Sequence, residues 1–445
     1  MKRISVTLLG IIISLTFAWS QNQTYDLKAL LNHALENSYA KLDAQLENQK
    51  AKYKTKEAIS SGLPQVSAFG QFDDNLKLAT VYLPGELAQM PGMDIPVQFG
   101  KKYNATAAVE FSQLIYSQQF IYSIKAAKST EELYQLKEVK TEEDIIYNVS
   151  AAYYNLSTIQ KQLEVLNANI HRLEELQKTT SSLYKADMAL KTDVNRIKVN
   201  LVNLETEKEK LLNAIDQLKN YLTYLAGFES KEDIQIDTYQ LSEEYRLPDW
   251  NQNPNISNRI EMQLLNQQNE LFSIQEKTIK AGYLPTLAAY GRYAWQGQNN
   301  EFNYFNGTQE WNDYSLVGLK LNIPIFDGLN KHSKIKQAKI QQEQTSLKIQ
   351  ETKNLIDIEL ENASKTFASN YKSYKAQQEN KDLAKEVYSQ TNLKYKEGLA
   401  PLTDLLNAET VVREAENNFY QAFLNCKIAE LNLYKANSEL KKLIQ

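Results

Sequence analysis

Residues 395–434 carry the strongest structural pattern of the chain and read YKEGLAPLTDLLNAETVVREAENNFYQAFLNCKIAELNLY. This stretch opens with two turn residues, Gly398 and Pro401, and continues without another glycine or proline. Small or apolar residues then follow at alternating steps of three and four: Leu405, Ala408, Val412, Ala415, Phe419, Ala422, Cys426, Ala429 and Leu433. This heptad spacing predicts a long helix that keeps one face against a partner helix.

The same pattern occurs a second time, about 211 residues earlier in the chain. The turn residues correspond one to one: Tyr184, Lys185, Ala189, Thr192 and Asp193 match Tyr395, Lys396, Ala400, Thr403 and Asp404. The heptad positions recur in the same register: Val194, Ile197, Leu201, Leu204, Lys208, Leu211, Ile215, Leu218 and Leu222. The sequence therefore predicts a tandem duplication of a long helical hairpin.

Composition narrows the function classes. The net charge is −4 over 445 residues, so the chain lacks the basic composition that is typical of nucleic-acid-binding proteins. No nucleic-acid partner is expected. Only 14 glycines and 9 prolines are present, which favours long helices over a loop-rich fold. The single cysteine, Cys426, lies on the heptad seam and is interpreted as a small buried hydrophobe. One cysteine also excludes an internal disulfide and a cysteine-built zinc site.

The first 20 residues have the pattern of a secretory signal peptide. Lys2 and Arg3 precede a short apolar run, which ends in Ala18-Trp19-Ser20, a small-x-small cleavage site. The alternative is an uncleaved anchor, but the run is short for a membrane span of about 20 residues. Because no cysteine follows the run, a lipoprotein anchor is not expected, and the mature chain is predicted to be exported.

Two segments change from the helical period to a period of two, each after a Leu-Pro pair. The predicted hairpins are 65–114 and 286–323. The clearest apolar positions are Tyr103, Ala105, Ala107, Val109, Phe111, Leu287, Ala289, Gly291, Tyr293 and Trp295. Strands of about ten residues with this alternation suit a transmembrane β-sheet. From alternation alone, ordinary soluble hairpins packed on the helices remain an equal alternative.

The remaining segments complete two structural repeats, 21–225 and 255–445, joined by a linker at 226–254. In each repeat a helix (25–61 or 255–281) precedes the hairpin, and a helix of sixty-odd residues (117–184 or 330–395) follows it. At about 1.5 Å per residue, the long helices should each extend roughly 100 Å. The sequence thus predicts a mainly α-helical chain with four β-strands.

Four strands cannot close a barrel, and an open sheet edge is not tolerated in lipid. If these strands lie in a membrane, several protomers must share one barrel. Three copies would supply about 12 strands, which is enough to enclose a lumen. A homotrimer is therefore expected.

The chain resembles the TolC-like outer-membrane efflux proteins over nearly the whole mature sequence. The matching motifs are Gly62-Leu63-Pro64, Ser112 to Tyr116, Tyr184 to Asp193, Tyr283-Leu284-Pro285, Val317 to Gly328 and the stretch 395–434. The resemblance implies a trimeric channel-tunnel in the outer membrane, with a shared 12-stranded β-barrel and a periplasmic α-helical barrel. It also implies a periplasmic adaptor, an inner-membrane transporter and outer-membrane lipid as partners, in a tripartite efflux pump or a type I secretion system. Drug efflux, metal export and protein secretion all remain open.

The resemblance places a periplasmic gate at the starts of the two returning helices. Asp193 and Asp404 match the aspartates close to the family's constriction, whereas Asn407 stands where some members carry a second acid. The alternative interpretation is structural, because an acidic residue in the first turn of a helix is favourable by itself.

The two turns themselves correspond to the family's adaptor-docking turns. Gly398, followed by Leu399, matches the turn glycine that docks the adaptor. In the first repeat Asp187, followed by Met188, stands where that glycine usually lies, so docking at this turn is expected to differ.

The sequence contains no catalytic constellation, and neither an enzyme nor a cofactor is predicted. The three histidines, His33, His171 and His332, are scattered, and the acidic residues along the helices are interpreted as a solvated face paired with lysine or arginine. A periplasmic coiled-coil adaptor and a coiled-coil scaffold are the alternative functions. An adaptor would be expected to show one hairpin rather than two, and the predicted signal peptide and strands disfavour a scaffold.

Overall fold

The computed structural model describes residues 24–84, 92–229, 234–237, 256–305, 307 and 309–444. The predicted signal peptide, 1–20, and most of the predicted linker, 226–254, lie outside these ranges. Seven α-helices are described: α1 (Leu27–Asn37), α2 (Tyr39–Ser60), α3 (Gln118–Lys185), α4 (Lys191–Ala226), α5 (Ile260–Ala281), α6 (Asn330–Lys396) and α7 (Leu402–Ala436). Among the described residues, none of the helices is long and apolar enough to cross a membrane.

Four strands form one antiparallel sheet in the order β2-β5-β7-β8. The eight short and long strands are β1 (Thr24–Tyr25), β2 (Gln65–Asp74), β3 (Thr80–Leu83), β4 (Ile95–Gln98), β5 (Tyr103–Ser117), β6 (Gln235–Ile236), β7 (Thr286–Asn299) and β8 (Trp311–Asn322). The central pairing of β5 with β7 joins the hairpins of the two repeats, while β2 and β8 are the edges. The predicted mainly helical fold with four principal strands is confirmed.

Two local features differ from the sequence predictions. The helix expected over 25–61 is broken at Ser38, whose backbone is extended (φ −64°, ψ 141°) and divides α1 from α2. Helical periodicity continues across this residue, so the pattern gave no signal for the break. The connection between β2 and β5 also contains a second small hairpin, β3 with β4. There Pro96 lies opposite Tyr82, so the region predicted as one hairpin, 65–114, contains two strand pairings.

The chain divides into two compact units that do not follow the two repeats. The first unit contains Met1–Asp43, Val139–Arg259 and Leu355–Gln445, and the second contains Ala44–Glu138 and Ile260–Asn354. The first unit therefore holds both helix turns, and the second holds the four-stranded sheet.

In the first unit, the heptad seam of the opening stretch is buried. Every small or apolar seam position of α7 from Leu405 to Leu433 has less than a tenth of its surface exposed, and Cys426 has none exposed. Phe367 and Tyr374 of α6 belong to the same buried cluster, and the Tyr374 ring lies 5.6 Å from Phe419 of α7 between centroids. A second core surrounds Leu30 and Leu31 of α1, which pack against α3 and α4.

In the second unit, the register gives the sheet two different faces, because successive side chains of a strand point to opposite sides. The mainly apolar face is formed by Val66, Phe72, Val109, Phe111, Leu287, Tyr293, Trp295, Val317, Leu319 and Leu321, and the register also places Gln113, Asp313 and Ser315 on it. The polar face is formed by Ser67, Phe69, Gln71, Asp73, Asn104, Thr106, Glu110, Arg292, Gln296, Tyr314, Leu316 and Lys320. The apolar face is uncovered in the protomer, where Val317 is 91% exposed.

Candidate functional site at the two helix turns

The two turns that the resemblance singles out have the same backbone geometry. In the first, Asp187 is left-handed (φ 57°), and in the second Gly398 is left-handed (φ 74°). The amide of Met188 donates to the carbonyl of Leu183 at 2.8 Å, and that of Leu399 donates to Lys394 at 2.8 Å. Both turns are thus Schellman caps, in which a left-handed residue satisfies the last carbonyls of the preceding helix. The internal duplication extends to single hydrogen bonds.

Each turn presents one large apolar side chain to solvent. Met188 is 76% exposed and Leu399 is 74% exposed. Each directly follows the left-handed residue, which turns the chain away from the helix that has just ended. The two side chains are consequently available to a partner, which is what a docking role at these turns requires.

The next residues begin the returning helices without a side-chain cap. Leu190 and Pro401 are the N-cap residues, and neither caps an amide through its side chain. Asp193 and Asp404 occupy the first turns of α4 and α7, the first partly exposed and the second exposed. The negative charge of each aspartate interacts favourably with the positive end of its helix dipole, so both residues can stabilise the helix starts.

The structure brings the two helix starts together within the first unit. Leu402 and Leu406 of α7 pack with Ile197 and Leu201 of α4 in one buried cluster. An open groove follows the junction of the two helices, and Asn407 lines it. Asp193 and Asp404 are not among the residues that line this groove.

A cavity of about 440 Å³ lies behind the turns, between α3, α6 and α7. Its lining includes Arg172, Tyr388 and Glu409, and the Arg172 guanidinium lies over the Tyr388 ring at 5.6 Å from the centroid. Glu409 is only 5% exposed, and no described residue forms a hydrogen bond with its Oε1. The sequence interpretation of the helical acids as a solvated face is wrong for this residue.

Burial raises the pKa of the Glu409 carboxyl above its ordinary value, against the opposing charges of Arg172 and Arg413. Arg413 is itself paired with Glu207 of α4 at 3.6 Å, and Lys385 pairs with Glu416 at 3.0 Å. The sequence did contain a signal for Glu409. It follows Leu405 by four residues, and this spacing places both on the same side of α7.

No group of His, Cys, Asp and Glu side chains suited to a metal ion occurs within the ranges that the structure describes. The scattered histidines include His33, which stacks on Phe228 at 3.8 Å and contacts the Ala226 carbonyl through Nδ1. This arrangement is a packing contact of the helical core.

Comparisons with known proteins agree with this architecture. Residues 256–437 match the family model described as Outer membrane efflux protein. The chain is 20% identical over 346 residues to the outer membrane protein TolC of Vibrio cholerae serotype O1, an alignment that covers 76% of this chain and 77% of that protein.

Solved structures share the fold across almost the entire chain. The open state of the Neisseria gonorrhoeae MtrE outer membrane channel superposes with a TM-score of 0.71 at 18% identity, covering 94% of this chain and 90% of that one. The Campylobacter jejuni CmeC outer membrane channel gives a TM-score of 0.71 at 14% identity, covering 94% and 86%. The second half of this chain therefore matches the outer membrane efflux protein family model, and the chain shares the fold of these outer membrane channels.

Proposed function

We propose that this protein is the outer-membrane channel-tunnel of an export system, assembled as a homotrimer. The observation that carries the proposal is the four-stranded sheet, which has a mainly apolar face, a polar face and two edge strands, β2 and β8, that pair with no further described strand. Unpaired strand edges in lipid are costly, and closure with two further copies would remove them. The apolar face would then contact lipid and the polar face would line the lumen.

Aromatic side chains support a membrane setting for the sheet. Phe72 and Tyr103 stack at 6.0 Å where the strands meet the loops, and Phe302 packs edge-on against both rings. Tyr304 lies near Trp311 in the same region, at 6.2 Å between centroids. Aromatic rings concentrate at membrane–water interfaces because their apolar bodies and polar edges suit the headgroup level.

We infer that the two turns form the periplasmic end of the channel, where a periplasmic adaptor and an inner-membrane transporter would engage it. Met188 and Leu399 would contact the adaptor, and Asp193, Asp404 and Asn407 would lie near the gate. A photoreactive residue at Leu399 should crosslink to a periplasmic protein in cells, whereas one at the exposed Asp216 of α4 should not. Equal crosslinking at both positions would argue against docking at the turns.

The oligomeric state tests the proposal directly. The mature chain, purified from outer membranes in detergent, should be a trimer by light scattering corrected for bound detergent. A monodisperse monomer would contradict the shared barrel. It would return the adaptor or scaffold alternatives to consideration, since neither needs the sheet edges to close.

A matched pair of substitutions on β8 tests the assignment of the faces. Leu319 lies on the apolar face and Leu316 on the polar face, and both are exposed in the protomer. Leu319→Glu should destabilise the membrane-assembled form by on the order of 1 kcal/mol or more, because its charge would face lipid. Leu316→Glu should be tolerated. Equal trimer yields for the two variants would show that the face assignment is wrong.

A further inference from the structure

We propose that Glu110 and Arg292 form a charge-compensating pair on the wall of the barrel lumen, and that this pair keeps that level of the barrel free of net charge, so that it favours neither cations nor anions. The inference rests on the proposed trimeric channel. It concerns the sheet of the second unit, and none of the gate residues at the helix turns takes part in it.

The register places the pair in one row across the sheet. Ser67 stands opposite Glu110, Glu110 opposite Arg292, and Arg292 opposite Leu316. Glu110 and Arg292 are therefore direct cross-strand partners, and they form an ion pair between Oε1 and Nη2. Both residues lie near the middle of their strands, far from the loops and from the helices.

Arg292 contacts side chains of all three other strands. It pairs with Glu110 of β5, lies over the Phe69 ring of β2 at 5.7 Å from the centroid, and interacts electrostatically with Tyr314 of β8. A planar guanidinium can pair with a carboxylate through its edge and stack on a ring through its face at the same time. These contacts hold the side chain along the wall instead of extending it across the lumen.

The pair remains accessible to water. The side chains of Arg292 and Glu110 are 40% and 36% exposed, so their charges act on ions in the lumen. The other charged residues of the polar face, Asp73 and Lys320, lie in different rows. At the level of the pair, each protomer therefore contributes one positive and one negative charge that cancel.

Removing the charge of one residue of the pair would leave the charge of the other uncompensated. Arg292→Gln would leave a ring of carboxylates, one from each protomer, and Glu110→Gln would leave a ring of guanidinium groups. Rings of like charge in a pore favour ions of the opposite sign. The two substitutions should therefore shift selectivity in opposite directions, although both remove the same ion pair.

The test is the reversal potential of purified trimers in planar bilayers under a potassium chloride gradient. Arg292→Gln should raise the ratio of potassium to chloride permeability by roughly twofold or more, and Glu110→Gln should lower it similarly. The double variant should return to the wild-type ratio. Lys320→Gln on the same face controls for removal of an ordinary lumenal charge. Unchanged ratios in both single variants would overturn the inference.

A further variant separates charge from contact geometry. Arg292→Lys keeps the positive charge but loses the planar group that pairs and stacks together. It should retain the wild-type permeability ratio while lowering the melting temperature of the trimer. A shift as large as that of Arg292→Gln would contradict the role of charge. If the wild-type protein forms no trimer and no conductance, the proposed function itself fails, which is a different outcome from an unchanged ratio.

Discussion

Asp187 and Gly398 occupy the same position in the two helix turns, about 211 residues apart, and both have a left-handed backbone. Each is followed by an amide that donates to the carbonyl five residues before it, at 2.8 Å. One turn thus uses glycine, which adopts this conformation freely, and the other uses aspartate, which tolerates it at some cost. The two repeats share the geometry but not the residue.

This difference predicts opposite effects of substitution at the two turns. Gly398→Ala should lower stability by about 1 kcal/mol, because alanine is strained at a positive φ. Asp187→Gly should be neutral or stabilising by at most about 1 kcal/mol, since the relief of strain is offset by the greater freedom of the unfolded chain. Thermal melting of the purified protein measures both.

The matched control for this experiment is Gly70→Ala on β2. A Cβ at Gly70 or at Gly398 would meet no heavy atom within 4 Å, but only Gly398 has a positive φ. Gly70→Ala should therefore leave the melting temperature unchanged or raise it slightly. An equal loss at both positions would mean that backbone conformation is not the cause.

The gate hypothesis predicts a change in selectivity at the turns. Replacing Asp193 and Asp404 together by Asn removes two charges per protomer with little change in volume. If the carboxylates ring a constriction, cation preference in planar-bilayer recordings should fall, and block by multivalent cations should weaken. Asp216→Asn, an exposed charge further along α4, is the control and should have no such effect.

The structural alternative for the same aspartates gives a different result. If they only stabilise the starts of α4 and α7, each loss should cost at most about 1 kcal/mol. The reversal potential would then stay constant while the melting temperature drops. A normal trimer yield with an unchanged reversal potential would reject the gate hypothesis.

Glu409 predicts a stability that decreases as pH rises. Burial raises its folded-state pKa above the unfolded value, so the folded protein binds the proton more tightly. Stability is therefore lost as pH increases through the interval between the two pKa values, and it stays lower above that interval. Glu409→Gln should stabilise the protein at neutral pH, because it removes the buried charge while keeping the shape of the side chain.

The control for Glu409 is Glu414→Gln, an exposed acid on the same helix. Melting temperatures across a pH series should show the gain from Glu409→Gln disappearing in acid, whereas Glu414→Gln should show no gain at any pH. A stability loss in Glu409→Gln at neutral pH would mean that the ionised carboxylate is compensated in the folded protein.

Glu142 should give the opposite pH dependence, with stability that decreases as pH falls. Burial acts to raise the pKa of its carboxyl, but hydrogen bonds from Lys41 at 2.7 Å and Lys441 at 3.0 Å outweigh this and hold the pKa below its ordinary value. The ionised Glu142 carboxylate therefore stabilises the folded protein above the unfolded-state pKa, and this stabilisation is lost as pH falls through the folded-state pKa. Glu142→Gln should therefore destabilise the protein at neutral pH, by about 2 kcal/mol.

The exposed pair of Lys50 and Glu47, at 2.9 Å on α2, is the matched control. Glu47→Gln should change stability by less than about 1 kcal/mol, since water screens exposed ion pairs. Thermal melting at neutral and acidic pH distinguishes the two sites. If Glu142→Gln were as mild as Glu47→Gln, the bridge from Glu142 to both lysines would contribute nothing measurable.

Features that depend on short-range periodicity could be predicted from the amino-acid sequence alone. The three-four spacing of α7 predicted which positions are buried, and the burial of Cys426 and its neighbours confirms it. The period of two predicted which strand residues share a face, and the register places them so. The 211-residue offset predicted equivalent turns, and these proved equivalent in their hydrogen bonds. These patterns can be recognised in the linear sequence because the side-chain directions of a helix or strand repeat every few residues.

Features that depend on contacts between distant segments became visible only in the folded chain. Three such features are the helix break at Ser38, the burial of Glu409 and the contacts of Arg292 with three strands. No periodic pattern in the neighbouring sequence predicts any of them. Phe69 and Arg292 are far apart in sequence, and they meet only because β5 pairs with both β2 and β7. A side chain's environment is set by whichever elements pack against it, and their arrangement follows from burying the whole chain's apolar surface rather than from the residues next to it.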